Sequence, residues 1–282
     1  MKTVDGKALA QKIRKEVKQE VAAFGKKGRA IVFHAVLVGD NPASHIYVNM
    51  KKRACDEVGI DMRVDLLPAN VSQSELEGKI RQLSNDDSVH AILLQLPLPE
   101  GLNAAGAIAC IAPEKDVDGL TVVSFGKLAS EAAGSGLFPC TPQGILHILK
   151  SEGVILEGAN VTVIGRSNIV GKPVALMLMK EDATVTVCHK KTKDLAAHTR
   201  GADVVVVAAG CPGLVRADMV RDGAVVVDVG VNRLEDGTIV GDVDFEGVSG
   251  KARVITPVPG GVGPLTIAFL LKNVVTAAAK LR

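Results

Sequence analysis

Val161-Thr162-Val163-Ile164-Gly165-Arg166-Ser167-Asn168-Ile169-Val170-Gly171-Lys172-Pro173 joins a β-branched apolar run to a glycine turn and a helix start. That order predicts a buried strand ending where the N–H groups of the next helix can hold a pyrophosphate, with glycine allowing the backbone to come close. The spacing is not G-x-G-x-x-G, because Ser167 stands where the second glycine is expected and Gly171 comes one residue late. An ordinary strand-to-helix turn has the same signature, so the sequence around it has to decide.

Downstream, residues 184–188, 204–208 and 225–229 are further apolar runs, each followed by a turn glycine or a charged segment, which predicts a parallel sheet. NAD-binding sheets carry an Asp or Glu about 20 residues past the glycine turn to accept from the ribose 2′-OH. Here Cys188 is followed by His189-Lys190-Lys191. A carboxylate would repel the 2′-phosphate of NADP, whereas Arg166, Lys190 and Lys191 could pair with it; a solvated basic loop is the alternative. Ala209-Gly210-Cys211-Pro212-Gly213 and Asp228-Val229-Gly230-Val231-Asn232 follow the later strands at the same ends, where ligands of open sheets sit. Asp228, inside an apolar run, reads as a residue that orders a neighbouring loop.

Upstream, apolar runs at 31–38, 62–67 and 91–98 alternate with helical stretches at 44–58 and 73–83. They predict a first α/β unit over roughly residues 1–120. The pattern loosens between 120 and 142, a helix is expected at 143–151, and an apolar helix closes the chain at 264–281. At 282 residues the chain exceeds a single core.

In the 44–58 helix, Ser44 is a candidate N-cap and Gly59 a stop. At about 100° per residue, Asn49, Lys52, Arg53, Asp56 and Glu57 share a polar face and Met50, Ala54, Cys55 and Val58 the other. Lys51 falls on the apolar side one turn after Tyr47, so it either snorkels to solvent or sits in a pocket. Gln95 is the only polar side chain within Ala91-Ile92-Leu93-Leu94-Gln95-Leu96-Pro97-Leu98-Pro99; a buried amide needs partners, in a site or as the cap of a loop. Pro113-Glu114-Lys115-Asp116-Val117-Asp118-Gly119 taken alone reads as a charged surface turn.

The net charge of +2 gives no basic surface for nucleic acid. Cys55, Cys110, Cys140, Cys188 and Cys211 are scattered without metal-ligand spacing, so no metal is expected and a reducing cytoplasm fits. The polar start lacks the apolar core of a signal peptide, and no apolar run is read as approaching the length of about 18 residues that spans a membrane.

Tyr47-Val48-Asn49-Met50-Lys51, Gln95 to Pro99, Lys115 to Gly119, Pro139-Cys140-Thr141-Pro142, Gly165-Arg166-Ser167 and Pro257-Val258-Pro259-Gly260-Gly261-Val262-Gly263-Pro264 resemble, in order, the signatures of the methylenetetrahydrofolate dehydrogenase/cyclohydrolase family. The resemblance implies an N-terminal three-layer α/β folate domain at 1–120, with the 264–282 helix packed back on it, and a Rossmann-like NADP domain at 121–263. It implies oxidation of 5,10-methylenetetrahydrofolate with NADP and hydration of the methenyl product to 10-formyltetrahydrofolate, supplying purine, methionine and histidine biosynthesis. Tyr47 would stack on the folate, Lys51 handle the proton of hydration, Gln95 bond Lys51 and Asp118 hold the pterin. Gly165, Arg166, Ser167, Gly171, Lys190 and Val231 would bind the cofactor, and Pro259, Gly260 and Gly261 would contact the substrate. Family members are typically homodimers. Two rivals are an NADP dehydrogenase of another small substrate and a non-catalytic nucleotide sensor. Neither accounts for Lys51 and Gln95 together.

Overall fold

The computed structural model describes residues 1–25, 30–130 and 136–281. The chain forms two compact units, one built from Gln11–Phe138 and the chain from Ile267 on, the other from Met1–Ala10 and Pro139–Thr266. The sequence reading divided the chain at 120/121; the observed division lies at 138/139, and the first ten residues belong with the second half. They do so because a short strand β1 (Lys2–Thr3) completes the later sheet.

In chain order, β1 leads into α1 (Gly6–Gly25). Next come β2 (Val32–Val38), α2 (Pro42–Val58), β3 (Asp61–Leu67), α3 (Gln73–Asn85) and β4 (Ala91–Leu94). The three strands form a parallel sheet in the order β3-β2-β4, with β2 buried throughout. Val36, Val38, Ile92 and Leu94 pack against Leu76, Ile80 and Leu83 of α3, and α3 starts in a capping box between Ser72 and Glu75.

Three local expectations are corrected. The N-cap of α2 is Asn41, whose Oδ1 accepts from the N–H groups of Ala43 and Ser44, with Pro42 in the first turn where its missing N–H costs nothing. Ser44 lies inside the helix and is buried. Met50 is exposed instead of sharing the apolar face. β4 stops at Leu94 instead of running to 98, since Pro97 and Pro99 have no N–H for a ladder.

The Lys115 turn is buried. Ile92 N–H donates to Lys115 O (2.8 Å), and Asp116 forms a parallel bridge to Ile92, extending the sheet beside β4. The Lys115 ammonium, 3% exposed, donates to the carbonyls of Leu83 (3.3 Å), Ser84 (2.8 Å) and Asp86 (2.8 Å) at the C-terminal end of α3. Burial pulls its pKa below the usual lysine range, while Asp86, Asp87 and Glu114 pull it up. The Asp116 carboxylate accepts from Leu120 N–H, Thr121 N–H and Ser124 Oγ–H. These bonds, with Thr121 as N-cap, start α5 (Val122–Ala129) after a short α4 (Ala104–Ile108). That helix lies where a loose segment was expected. Its two leading valines and a glycine are weak helix formers, so the caps supply what propensity does not.

The second unit continues with α6 (Cys140–Ser151), β5 (Asn160–Ile164), α7 (Gly171–Met179), β6 (Thr184–Cys188), α8 (Leu195–Thr199), β7 (Val204–Val207) and β8 (Val225–Asp228). A hairpin of β9 (Asn232–Arg233) and β10 (Ile239–Val240), then α9 (Phe245–Ser249) and β11 (Val254–Ile255) complete it, and the closing helix α10 (Val262–Lys280) belongs to the first unit from Ile267 on. Its six-stranded sheet has the order β1-β11-β8-β7-β5-β6, with every pairing parallel. Strand order reverses at β5, which lies between β6 and β7, so the crevice for a ligand is at their carboxyl ends. Against the expectation about membrane spans, Val262–Lys280 is long and apolar enough to cross one, but most of it is buried, as in a core helix.

Replacing Lys115 by Met strips charge-assisted bonds from three carbonyls at a buried helix end. We expect unfolding free energy in urea to fall by about 3 kcal/mol. An unchanged midpoint would mean that desolvation of the ammonium cancels its bonds.

Candidate active site

In the first unit Lys51 and Gln95 meet at the carboxyl end of β4. Gln95 follows β4 directly, is buried, and donates its N–H to Val36 O (2.9 Å). Its side-chain Nε2 donates to Leu96 O (2.6 Å), which leaves Oε1 to accept from Lys51 Nζ (3.0 Å). The amide therefore caps the strand end and orients the lysine at once, joining the two alternatives that the sequence left open. Lys51 is half-buried on α2. Tyr47, one turn earlier and 46% exposed, presents its ring at the surface. Asp118, half-buried, stands two residues beyond the Asp116 bridge toward the same strand end. Cys55, also on α2, is no candidate nucleophile: burial pushes its thiol up to about 12.

In the second unit the β5 turn depends on close backbone approach. Gly165 has φ +119°, and a Cβ there would overlap the carbonyl oxygen of Ala208 after β7. A Cβ on Gly171 would overlap the carbonyl of Gly165. Gly171 thus serves close helix–strand packing, the role of the third fingerprint glycine. Ser167 Oγ accepts from Val170 N–H (3.1 Å) and Gly171 N–H (3.4 Å), and Ser167 O from Lys172 N–H (3.0 Å). The expectation that these helix-start N–H groups hold a pyrophosphate needs correction, because the turn itself already engages them.

Arg166 and Lys190 are exposed, each two residues past the paired positions Ile164 and Cys188 on adjacent strands. The His189–Thr192 turn is fixed by His189 N–H donating to Thr192 Oγ1 (2.9 Å) and Lys191 N–H to His189 Nδ1 (3.1 Å). Val231, 59% exposed beyond β8, offers an apolar contact at the same end of the sheet. These groups fit a phosphorylated dinucleotide: two cations where a 2′-phosphate would lie and glycines where its backbone neighbours come close. The loop of Pro259, Gly260 and Gly261 follows β11. Gly260 has φ +108°, and Gly6 packs so closely that a Cβ on it would overlap Gly261 O. Sequence reasoning missed Gly6, whose only signal is a glycine just before a charged helix.

Asp228 is buried, and its carboxylate accepts N–H bonds from Gly230 (2.9 Å), Asp242 (3.0 Å) and Val243 (2.9 Å). Burial pushes its pKa up to about 6 against those bonds. It orders loops, as the sequence suggested. Among the described residues no cluster of three or more His, Cys, Asp or Glu could hold a metal ion.

Comparison with known proteins agrees with this geometry. Residues 4–118 match the family model of the tetrahydrofolate dehydrogenase/cyclohydrolase catalytic domain, and residues 139–282 that of its NAD(P)-binding domain. The bifunctional protein FolD of Campylobacter jejuni is 52% identical over 278 residues, covering 99% of this chain and 98% of that protein. The crystal structure of a C. jejuni bifunctional FolD superposes with TM-score 0.97 at 51% identity, covering 99% of both chains. The Trypanosoma brucei FolD structure, complexed with NADP cofactor and inhibitor, superposes with TM-score 0.95 at 40% identity, covering 99% of this chain and 97% of that one.

The overlap at Gly171 is with backbone, which cannot swing aside. Gly171→Ala should lose at least tenfold in dinucleotide affinity by calorimetry and about 1–3 kcal/mol of stability from overpacking. Gly201→Ala, where an added Cβ meets nothing within 4 Å, is the control and should stay within about 0.5 kcal/mol of the parent.

Proposed function

This chain belongs to the tetrahydrofolate dehydrogenase/cyclohydrolase family, and from that premise we propose how its residues divide two reactions. It is a bifunctional enzyme that oxidises 5,10-methylenetetrahydrofolate to the 5,10-methenyl form with NADP and hydrolyses the methenyl form to 10-formyltetrahydrofolate. The observation that carries the division is the 3.0 Å bond from Lys51 to a Gln95 whose amide nitrogen is committed to Leu96 O.

Hydration needs a group that removes a proton from the attacking water and later supplies one to the ring nitrogen released when the carbon–nitrogen bond opens. Lys51 can serve at both moments. Its Nζ donates to Gln95 Oε1, and an amide partner orients it without adding a counter-charge. Asp118 accepts from pterin N–H groups, and Tyr47 lays its ring against the folate. Arg166 and Lys190 pair with the 2′-phosphate of NADP, which accepts the hydride. Gly165, Ser167, Gly171 and Val231 shape the remainder of the cofactor site, and the Pro259–Gly261 loop contacts substrate.

We extend the proposal to a homodimer in a reducing cytoplasm that binds neither nucleic acid nor membrane. Five free cysteines and a net charge of +2 support that reading. Edge strand β6, with Thr184, Thr186 and Val187 exposed, suits pairing with a second copy.

Loss of a general base typically costs about 10² to 10⁴ in rate. Lys51→Met should therefore nearly abolish hydration while oxidation falls less, and adding Gln95→Ala should make it little worse, since the two residues act as a unit. Equal loss of both rates would reduce Lys51 to a positioning role, and undiminished hydration would remove it from the mechanism.

Arg166→Ala should weaken NADP much more than NAD, because only NADP carries the 2′-phosphate. Dissociation constants for both dinucleotides decide it: equal losses would overturn the assignment of Arg166.

A further inference from the structure

One carboxylate of the second unit takes no part in either reaction as described above. Asp242 is 0% exposed. The β9–β10 hairpin returns the chain from the end of β8, and Gly241 brings Asp242 back beside that end. Asp242 Oδ2 accepts from Ala209 N–H (2.6 Å) and Gly210 N–H (2.9 Å); Oδ1 accepts from Cys211 N–H (2.8 Å) and Asn232 Nδ2 (2.8 Å). Three successive backbone N–H groups turned on one point form a nest, the concavity that elsewhere holds phosphate. Here the protein's own anion occupies it.

The surroundings are cut to admit that anion. A Cβ on Gly230 would overlap the Asp242 carboxyl group, and a Cβ on Gly241 would overlap the Asp228 carboxylate. Asp228 in turn accepts from the N–H of Asp242 itself and from Val243. Two buried carboxylates and two glycines therefore interlock, and between them they fix both the loop after β7 and the loop after β8.

We propose that Asp242 is a positioning residue for the dinucleotide: it fills the nest at residues 209–211 and ties that loop to residues 230–232, setting the two cofactor loops before NADP arrives. The proposal rests on the reading that these loops hold NADP. It specifies that the amides of 209–211 are not what the cofactor phosphates bond, and that the loop meets its ligand through its other groups. A carboxylate is required because both oxygens take two donors each. An asparagine would turn its NH₂ toward N–H groups and push one loop away.

The test uses the full-length enzyme and Asp242→Asn. Dissociation constants by calorimetry should rise at least tenfold for NADP and by the same factor for NAD, because the displaced loops do not involve the 2′-phosphate. Hydration, carried by Lys51 and Gln95 of the first unit, should stay within twofold. In the wild-type protein without NADP, the amides of Ala209, Gly210 and Cys211 should exchange hydrogen at the slow rate of paired backbone. Wild-type affinity in the variant, or rapid exchange of those amides in the parent, overturns the proposal. The exchange experiment decides even where Asp242→Asn does not fold. A wild-type protein that binds neither dinucleotide would remove the functional reading itself, an outcome distinct from a variant that binds as well as its parent.

Discussion

A strand that stops at a ligand site leaves N–H and C=O groups without a ladder partner, and buried ones must find another. Much of this protein's site chemistry grows from that constraint. β4 ends at Leu94 against two prolines, and Gln95 satisfies the strand end with its backbone N–H to Val36 and its amide to Leu96 O. With Nε2 turned to Leu96 O, Oε1 faces Lys51 and accepts from it. The same accounting places the Lys115 ammonium under two carbonyls of α3 and that of its C-cap Asp86, and the Asp116 carboxylate under the amides that start α5. Asp118 follows Asp116 by two residues, which fixes the backbone that carries it.

In the second unit the constraint is met by closeness as well as by side chains. Gly165, Gly171, Gly230 and Gly241 each stand where a Cβ would overlap backbone or a buried carboxylate. The irregular spacing of the first two is thereby explained. Gly171 still lets α7 approach β5, and Ser167, in place of a second glycine, brings an oxygen that engages the first helical N–H groups. Together with the filled nest at 209–211, this leaves recognition of a dinucleotide to cationic side chains and apolar contacts more than to open N–H cradles.

The alternation of apolar runs and helices was legible because both sheets are parallel and their inner strands are buried on both faces, so strands such as residues 204–207 read as uninterrupted valine. Lys51 and Gln95 were legible as polar residues in apolar patterns. Lys115 and Asp116 were not, since a charged cluster between a proline and a glycine has the composition of a surface turn whether or not it is buried. Asp242 was hidden for a related reason: its partners are backbone N–H groups of residues 209–211, about thirty positions away, and backbone donors leave no mark in composition. Asn41 outranked Ser44 as N-cap because Pro42 fits the first helical turn and so sets the start of α2.

The two units use charge in opposite ways. Around Lys51 the bonded partner is a neutral amide, which orients the side chain by a hydrogen bond and not by an ion pair. Asp228 and Asp242 are buried carboxylates whose partners are N–H groups, and among the described residues neither is bonded to a cation. Their bonds go to residues 209–211, 230, 232, 242 and 243, which leaves Arg166 and Lys190 uncommitted to them and available to a phosphate. N–H dipoles turned on a buried carboxylate offset part of its field toward an anionic ligand nearby. Buried acids can therefore stand near a site for a phosphorylated ligand where N–H dipoles hold them, because no basic side chain is then drawn away from the phosphate.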